Sequence, residues 1–217
     1  MPFTFRCVLM FGSGKHVWKF YCLVPCSLLL GAFSGCSFAY AAPTAEQSAI
    51  IAEQTKVIEA NPKDYKAYFR RGRAYFDARL LTEAESDFKK GIKINPESQG
   101  LWVWLASVHQ ERGQLAQSLE CVREAQRIGE LTADLGALEV CCLKGLGRHE
   151  ECILRASNLI HKFPNCADLY YFRAQSRSAI NGDSRLIGDD FRTAVNLAPT
   201  NASFRKRLKK FSASGGR

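Results

Sequence analysis

Apolar positions in the chain follow a helical spacing, and prolines interrupt that spacing at regular intervals. The interrupting prolines are Pro62, Pro96, Pro164 and Pro199, which lie 34, 68 and 35 residues apart. Each 34-residue interval fits two amphipathic helices, of which the first has an aromatic residue near its start and small residues midway. A helical hairpin of this size cannot bury its apolar face alone, so the pattern predicts hairpins that stack on one another.

Two further helices are predicted to close the ends of this stack. Residues 45–60 fit one helix that ends in the same Asn-Pro pair, and we interpret it as an N-terminal cap on the first hairpin. Near the other end, Phe204, Leu208 and Phe211 recur at i, i+4 and i+7. The other faces of that helix carry the basic residues Arg205, Lys206, Arg207, Lys209 and Lys210. The whole pattern predicts about ten helices and essentially no strand.

Residues 65–98 closely resemble a tetratricopeptide repeat. The residues at the family's characteristic positions are Gly72 and Ala84 for the close contact between helices, Tyr75 and Phe88 for the space between hairpins, and Pro96 for the end of the second helix. This resemblance makes the first unit the reference for the units that follow.

Three further units, residues 99–132, 133–166 and 167–200, match less closely. Gly136 stands where the third unit should have an aromatic residue, and the fourth unit has one extra residue near its turn. The matching positions are Trp102, Leu105, Ala106, Gly113 and Ala125 in the second unit, Gly147, Cys152 and Pro164 in the third, and Tyr170, Ala174, Phe191, Ala194 and Pro199 in the fourth.

The resemblance implies an all-α fold, a right-handed superhelical solenoid of helix-turn-helix repeats. Four repeats would fill residues 65–200, after an N-terminal capping segment at residues 42–64. Residues 201–217 would form a basic C-terminal capping helix and tail. Terminal elements of this kind cover the last hairpins and keep a repeat array soluble.

The first 41 residues have the order of a secretory signal. Arg6, Lys15 and Lys19 precede an uncharged apolar stretch over residues 21–38, and Ala39-Tyr40-Ala41 supplies a small-residue cleavage pattern. We expect cleavage after Ala41, which predicts a periplasmic or secreted mature protein.

Two alternatives to that cleavage stay open. The segment Phe33-Ser34-Gly35-Cys36 resembles a bacterial lipobox, in which the chain is cut before the cysteine and the thiol takes lipid, although Phe33 departs from the usual leucine. The other alternative is an uncleaved N-terminal anchor. Lipid on Cys36 would make the protein a membrane lipoprotein, and either alternative would associate it with a membrane.

Nine cysteines are present, and four of them fall in the predicted signal. The others are Cys121, Cys141, Cys142, Cys152 and Cys166. Their odd number does not suit a complete disulfide framework, so we interpret them as packing residues and leave one bridge open. Although His149 and His161 lie nearby in sequence, no C-x-x-C pair provides the spacing of a zinc site, and no metal or cofactor is predicted.

The resemblance also implies where a partner binds. In this family the first helix of each repeat lines the concave surface, where peptides or partner segments lie. The residues expected to face inward are Lys66, Phe69, Arg70, Arg73 and Phe76 in the first repeat, Val103, Ser107 and Gln110 in the second, Ala137 and Cys141 in the third, and Tyr171, Gln175 and Ser178 in the fourth.

An apolar and aromatic surface with cations at one end suits a partly apolar segment that carries a carboxylate. The alternative is that Phe69, Phe76 and Tyr171 only pack against neighbouring helices. The family's clamp for the acidic C terminus of heat-shock chaperones needs a lysine and an asparagine one turn apart, where this chain has Phe69 and Arg73. That particular specificity is therefore not expected.

The sequence contains no G-x-S-x-G, H-E-x-x-H or phosphate-binding loop, so we expect a binding protein rather than an enzyme. By family analogy, the expected function is that of an exported scaffold or adaptor, in an envelope, secretion or pilus-type assembly. An alternative is a lipid-anchored protein, or one that contacts anionic membrane through its basic C-terminal helix. Nucleic acid is not an expected partner of an exported protein.

Overall fold

The structure, a computed structural model, describes residues 42–215, and this part of the chain contains ten α-helices and no strand. The predicted signal, including Cys36, lies outside the described residues. The helices are α1 (Ala45–Ala60), α2 (Tyr65–Asp77), α3 (Leu81–Ile94), α4 (Gln99–Glu111), α5 (Leu115–Ile128), α6 (Ala133–Gly145), α7 (His149–Lys162), α8 (Ala167–Ala179), α9 (Ser184–Leu197) and α10 (Ala202–Ala213).

Helices that are consecutive in the chain pack side by side, so that α2 to α9 form four hairpins between α1 and α10. The prediction of an all-α solenoid of helix-turn-helix repeats is confirmed for the described residues. No helix among residues 42–215 is both long enough and apolar enough to cross a bilayer.

The first helices of the hairpins, α2, α4, α6 and α8, line the inner side of a curved stack. Each of them contacts the first helix of the next hairpin, whereas successive second helices make few contacts or none. A stack in which one layer is more closely spaced curves toward that layer. The concave surface is therefore built from α2, α4, α6 and α8.

The turn within each hairpin passes through one residue in the left-handed region, at the same place in every repeat. Those residues are Arg79, Gly113, Gly147 and Asn181, with φ angles of 62°, 72°, 74° and 54°. Glycine and asparagine tolerate this conformation readily, whereas Arg79 pays a steric penalty. The equivalent positions show that the sequence period of 34 residues is also a period of the backbone.

Large side chains fill the space between helices where the backbone leaves room for them. A Cβ atom on Gly72 would lie 2.7 Å from a ring carbon of Phe88, so the absent side chain lets Phe88 pack directly against α2. In the third repeat, a Cβ atom on Gly136 would lie 3.0 Å from a methyl carbon of Leu159. Leu159 thus occupies the space that the aromatic residue expected at position 136 would need.

A buried ion pair ties the two helices of the first hairpin together and also reaches the N-terminal helix. Arg71 donates from Nε and Nη2 to the two carboxylate oxygens of Asp87 at 2.7 and 2.8 Å. Its Nη1 donates to Thr55 Oγ1 on α1 at 3.0 Å. Hydrogen bonding to Asp87 raises the pKa of Arg71, so the guanidinium stays charged.

Candidate functional site

An aromatic and cationic cluster occupies the first two hairpins on the concave side. The guanidinium of Arg73 lies 4.9 Å from the ring centre of Trp104 and 5.9 Å from that of Phe69. The Phe76 ring meets Trp104 edge-on at a centroid distance of 5.3 Å. We call Phe69, Arg73, Phe76 and Trp104 the aromatic cluster.

The rings of the aromatic cluster are half-buried, because they also pack on the first part of the core. Phe69 lies 6.4 Å from Phe88 and Trp104 lies 6.3 Å from it, between ring centres. Phe69, Phe76 and Trp104 therefore both fill space between α2, α3 and α4 and present an edge to solvent. Packing against neighbouring helices and lining the groove are compatible roles for these side chains.

Arg73 differs from its aromatic neighbours because its side chain is exposed. Among residues 42–215, no carboxylate lies within ion-pairing distance of Arg73, Arg70 or Lys66, and all three side chains are exposed. The guanidinium lies over the Trp104 ring, and this contact uses none of its hydrogen-bond donors. Arg73 therefore has donors free for a partner.

Trp104 was not among the residues expected to face the groove. The sequence does offer a sign of this contact, which is the pair of tryptophans at positions 102 and 104. Two residues at i and i+2 on a helix point about 200° apart, so these two side chains must lie on different faces. The indole of Trp102 is directed elsewhere and donates to the carbonyl oxygen of Pro96 at 2.9 Å. Trp104 is left to face α2.

The middle of the concave surface is less charged. Gln110 donates from Nε2 to the sulfur of Cys141 at 3.4 Å, which joins predicted groove residues of the second and third repeats. Ser107 donates to the carbonyl oxygen of Val103 at 3.1 Å within the same helix. Val103, Ser107, Gln110, Ala137 and Cys141 are all half-buried.

Tyr171 belongs to a different cluster from the aromatic residues of α2. Its ring centre lies 4.4 Å from that of Phe204 on α10 and 5.9 Å from that of Phe191 on α9. Tyr171, Gln175 and Ser178 are half-buried. The structure therefore brings Phe69, Arg73 and Phe76 together but places Tyr171 against the C-terminal cap.

Two carboxylates lie at the start of α6 and α8, which are the first helices of the third and fourth hairpins. Asp134 and Asp168 are both exposed, and neither pairs with a cation among the described residues. Partial burial, followed by the charge of Asp134, raises the pKa of Asp168. The carboxylate of Asp168 is accessible to water, yet enough protein surrounds it to disfavour its charge.

The five cysteines beyond the predicted signal are all free thiols. Burial raises the pKa of Cys121 to about 11 and raises the pKa values of the other four, so none is an activated nucleophile. Within residues 42–215, no three histidine, cysteine or acidic side chains are grouped so that they could hold a metal ion. The thiol of Cys142 instead donates to Ser118 Oγ at 3.3 Å, and the sulfur of Cys152 accepts from Ser176 Oγ at 3.0 Å.

The basic face of α10 is the other concentration of charge. Phe204 is buried, and Leu208 and Phe211 pack inward against the fourth hairpin. Among the described residues, none of the five basic side chains of α10 forms an ion pair. These residues are Arg205, Lys206, Arg207, Lys209 and Lys210.

Comparison with known proteins agrees with this architecture. The sequence model of the tetratricopeptide repeat family matches residues 65–98, which contain α2 and α3. No curated protein sequence matches the chain. Among solved structures, YrrB, a TPR protein with an unusual peptide-binding site, superposes with a TM-score of 0.65 at 19% identity, over 76% of this chain and 84% of YrrB.

Two further solved structures are similar over most of their length. MamA from Desulfovibrio magneticus RS-1 has a TM-score of 0.65 at 13% identity, over 73% of this chain and 89% of that one. TTC0263, a thermophilic TPR protein of Thermus thermophilus, has a TM-score of 0.58 at 18% identity, over 76% and 89%. Identities this low show the fold alone. Residues 65–98 therefore match a tetratricopeptide repeat in sequence, and the described chain has the fold of tetratricopeptide-repeat proteins.

Proposed function

We propose that this protein is a scaffold or adaptor that holds a segment of another protein along its concave surface. The contact with an acidic group of that segment is made by Arg73 of the aromatic cluster together with Lys66 and Arg70. Tetratricopeptide repeats bind protein or peptide partners, and YrrB is described as having a peptide-binding site, which supports a peptide ligand here.

The observation that carries the proposal is the stacking of Arg73 on Trp104 without a carboxylate partner among the described residues. Arg71, by contrast, is largely buried and is held by Asp87. A guanidinium that is oriented by an aromatic ring and has its donors free is suited to bind a carboxylate with two parallel hydrogen bonds. Each such charge-assisted bond is worth roughly 1.5–3 kcal/mol.

Export is the second part of the proposal, and it rests on the sequence of residues 1–41. The basic residues, the apolar stretch and Ala39-Tyr40-Ala41 support a cleaved signal. N-terminal sequencing of the protein recovered from its host tests this. A chain that begins at Ala42 agrees with it, a lipid on Cys36 selects the lipoprotein alternative, and an intact Met1 in the membrane fraction contradicts both.

A competing binding surface is the basic face of α10, because its five cations have no ion-pair partners among residues 42–215. Exposed charges of this kind give an attraction that is screened over about 8 Å at physiological salt. Such a face would attract an anionic lipid surface without selecting one partner. We favour the concave surface since its cations are combined with oriented aromatic rings.

The test of the proposed function is affinity capture from the envelope fraction of the host, followed by measurement of the captured partner against variants. Arg73→Ala removes the stacked guanidinium, and Arg123→Ala is a matched control because Arg123 is an exposed arginine on the second helix α5. Capture that is lost with Arg73→Ala and kept with Arg123→Ala supports the concave site. Equal capture by both variants contradicts it.

A further inference from the structure

Charge changes sign along one edge of the concave surface. The second residue of each repeat lies in the first turn of its first helix, and these residues are Lys66, Gly100, Asp134 and Asp168. The edge therefore runs from a cation at α2, through a glycine at α4, to anions at α6 and α8. Arg70 and Arg73 add to the positive end.

Helix stability explains this order only in part. An acidic residue in the first turn of a helix is favourable, because the N-terminal end of the helix dipole is positive. Asp134 and Asp168 obey that rule, but Lys66 in the first turn of α2 violates it. The placement of Lys66 costs α2 some stability, which is a reason to look for a partner of opposite charge.

The charge of Asp168 is also disfavoured by partial burial and by Asp134. The charge of Asp134 acts on Asp168, and neither side chain meets a cation among the described residues. Their helices, α6 and α8, are in direct contact. A positive group placed between Asp134 and Asp168 would relieve this repulsion.

We infer that the concave surface binds one extended segment with an acidic group at one end and a lysine or arginine at the other. The acidic group contacts Lys66, Arg70 and Arg73 over α2, and the basic side chain lies at Asp134 and Asp168 over α6 and α8. This inference rests on the proposed function, because it names the chemistry of the partner at the same surface.

Helix spacing gives the length of that segment. Neighbouring packed helices lie about 8–10 Å apart, so α2 and α6 are separated by roughly 20 Å. An extended chain advances about 3.3 Å per residue, which places the acidic and basic groups about six residues apart. A separation of two residues spans only about 7 Å of backbone, far less than the edge.

The test uses dye-labelled synthetic octapeptides and fluorescence anisotropy on the full chain. The first peptide has a glutamate and a lysine six residues apart with apolar residues between them. The second replaces the lysine by glutamine, and the third keeps the lysine but places it two residues from the glutamate. The first should bind about fivefold or more tightly than either of the others.

Protein variants then assign the difference to the two aspartates. Asp134→Asn with Asp168→Asn should abolish the advantage of the first peptide over the second, whereas Asp189→Asn, on the second helix α9, should preserve it. The inference is overturned if the wild-type protein binds all three peptides with equal affinity. If Arg73→Ala nevertheless weakens the binding of all three, the proposed function stands. Peptides that do not bind, or that ignore Arg73→Ala, overturn both.

Discussion

Arg155 donates to Glu139 at 2.9 Å across the third hairpin, in the two positions that Asp87 and Arg71 occupy in the first. In the third hairpin the acid lies on the first helix and the arginine on the second, which is the reverse of the first hairpin. In the fourth hairpin the original order returns, with Arg173 donating to Asp190 at 2.9 and 2.7 Å and to Ser157 at 3.0 Å. The repeats thus conserve an interaction between two places while the residues at those places change.

In the second hairpin the positions equivalent to Arg71 and Asp87 hold Leu105 and Cys121. These uncharged residues can be introduced into the first hairpin to test its ion pair. Arg71→Leu or Asp87→Cys alone leaves a buried charge without its partner, which should cost about 3–5 kcal/mol. The double variant Arg71→Leu/Asp87→Cys leaves neither charge and should lose much less. Urea unfolding followed by circular dichroism measures the free energies of unfolding. The account would be contradicted if the double variant lost as much free energy of unfolding as the two single variants lose together.

The N-terminal helix should be needed for the stability of the first hairpin. Deleting residues 45–60 exposes the α2 surface that α1 covers and removes the Thr55 partner of Arg71, so stability and solubility should fall. Thr55→Val removes that hydrogen bond and the one that Thr55 Oγ1 donates to the carbonyl oxygen of Ile51, and it should cost about 1–2 kcal/mol. Thermal unfolding of the two variants separates packing from hydrogen bonding. A deletion that leaves the midpoint unchanged would show that α1 is not a cap.

The features best predicted from the sequence are those in which the local backbone requires a particular residue type. Gly72 was expected at a close contact between two helices, and in the structure its missing side chain leaves room for the Phe88 ring. The spacing of Pro62 and Pro96 located the hairpins because proline cannot continue a helix. Such features depend on local backbone geometry, so a repeated pattern reveals them.

Contacts between repeats were harder to predict. Trp104 joins Arg73 only because α2 and α4 are neighbours, and neither helix alone shows which of two tryptophans faces the other. Tyr171 contacts Phe204 because α10 packs on the last hairpin, which a repeat pattern does not describe. The exchange of charge at Glu139 and Arg155 was likewise invisible until both helices were placed together.

Replacing Asp168 by asparagine should stabilise the protein at neutral pH. Partial burial and Asp134 raise the pKa of Asp168 in the folded state, so the folded protein binds this proton more tightly than the unfolded chain. The resulting penalty is absent well below the unfolded pKa, grows as the pH rises, and is complete above the folded pKa. Asp168→Asn removes it, and the gain in melting temperature should be larger at pH 7 than at pH 3.

The same substitution made in an Asp134→Asn background should give a smaller gain, because one source of the raised pKa has been removed. Asp189→Asn is the matched control, since Asp189 pairs with Arg192 on the surface of α9. Differential scanning calorimetry at both pH values measures the effect. A lower melting temperature for Asp168→Asn at pH 7 would contradict the account.

The concave site is tested most directly by the dissociation constant of the captured partner for four variants. Arg73→Ala should weaken binding about tenfold or more, which corresponds to about 1.4 kcal/mol, and it should leave the helical content unchanged. Arg123→Ala should match the wild-type protein. Lys209→Ala with Lys210→Ala should change mainly the association rate and its dependence on salt. A partner that binds Arg73→Ala normally but is lost on deleting residues 204–217 would place the site on α10 and refute the central claim.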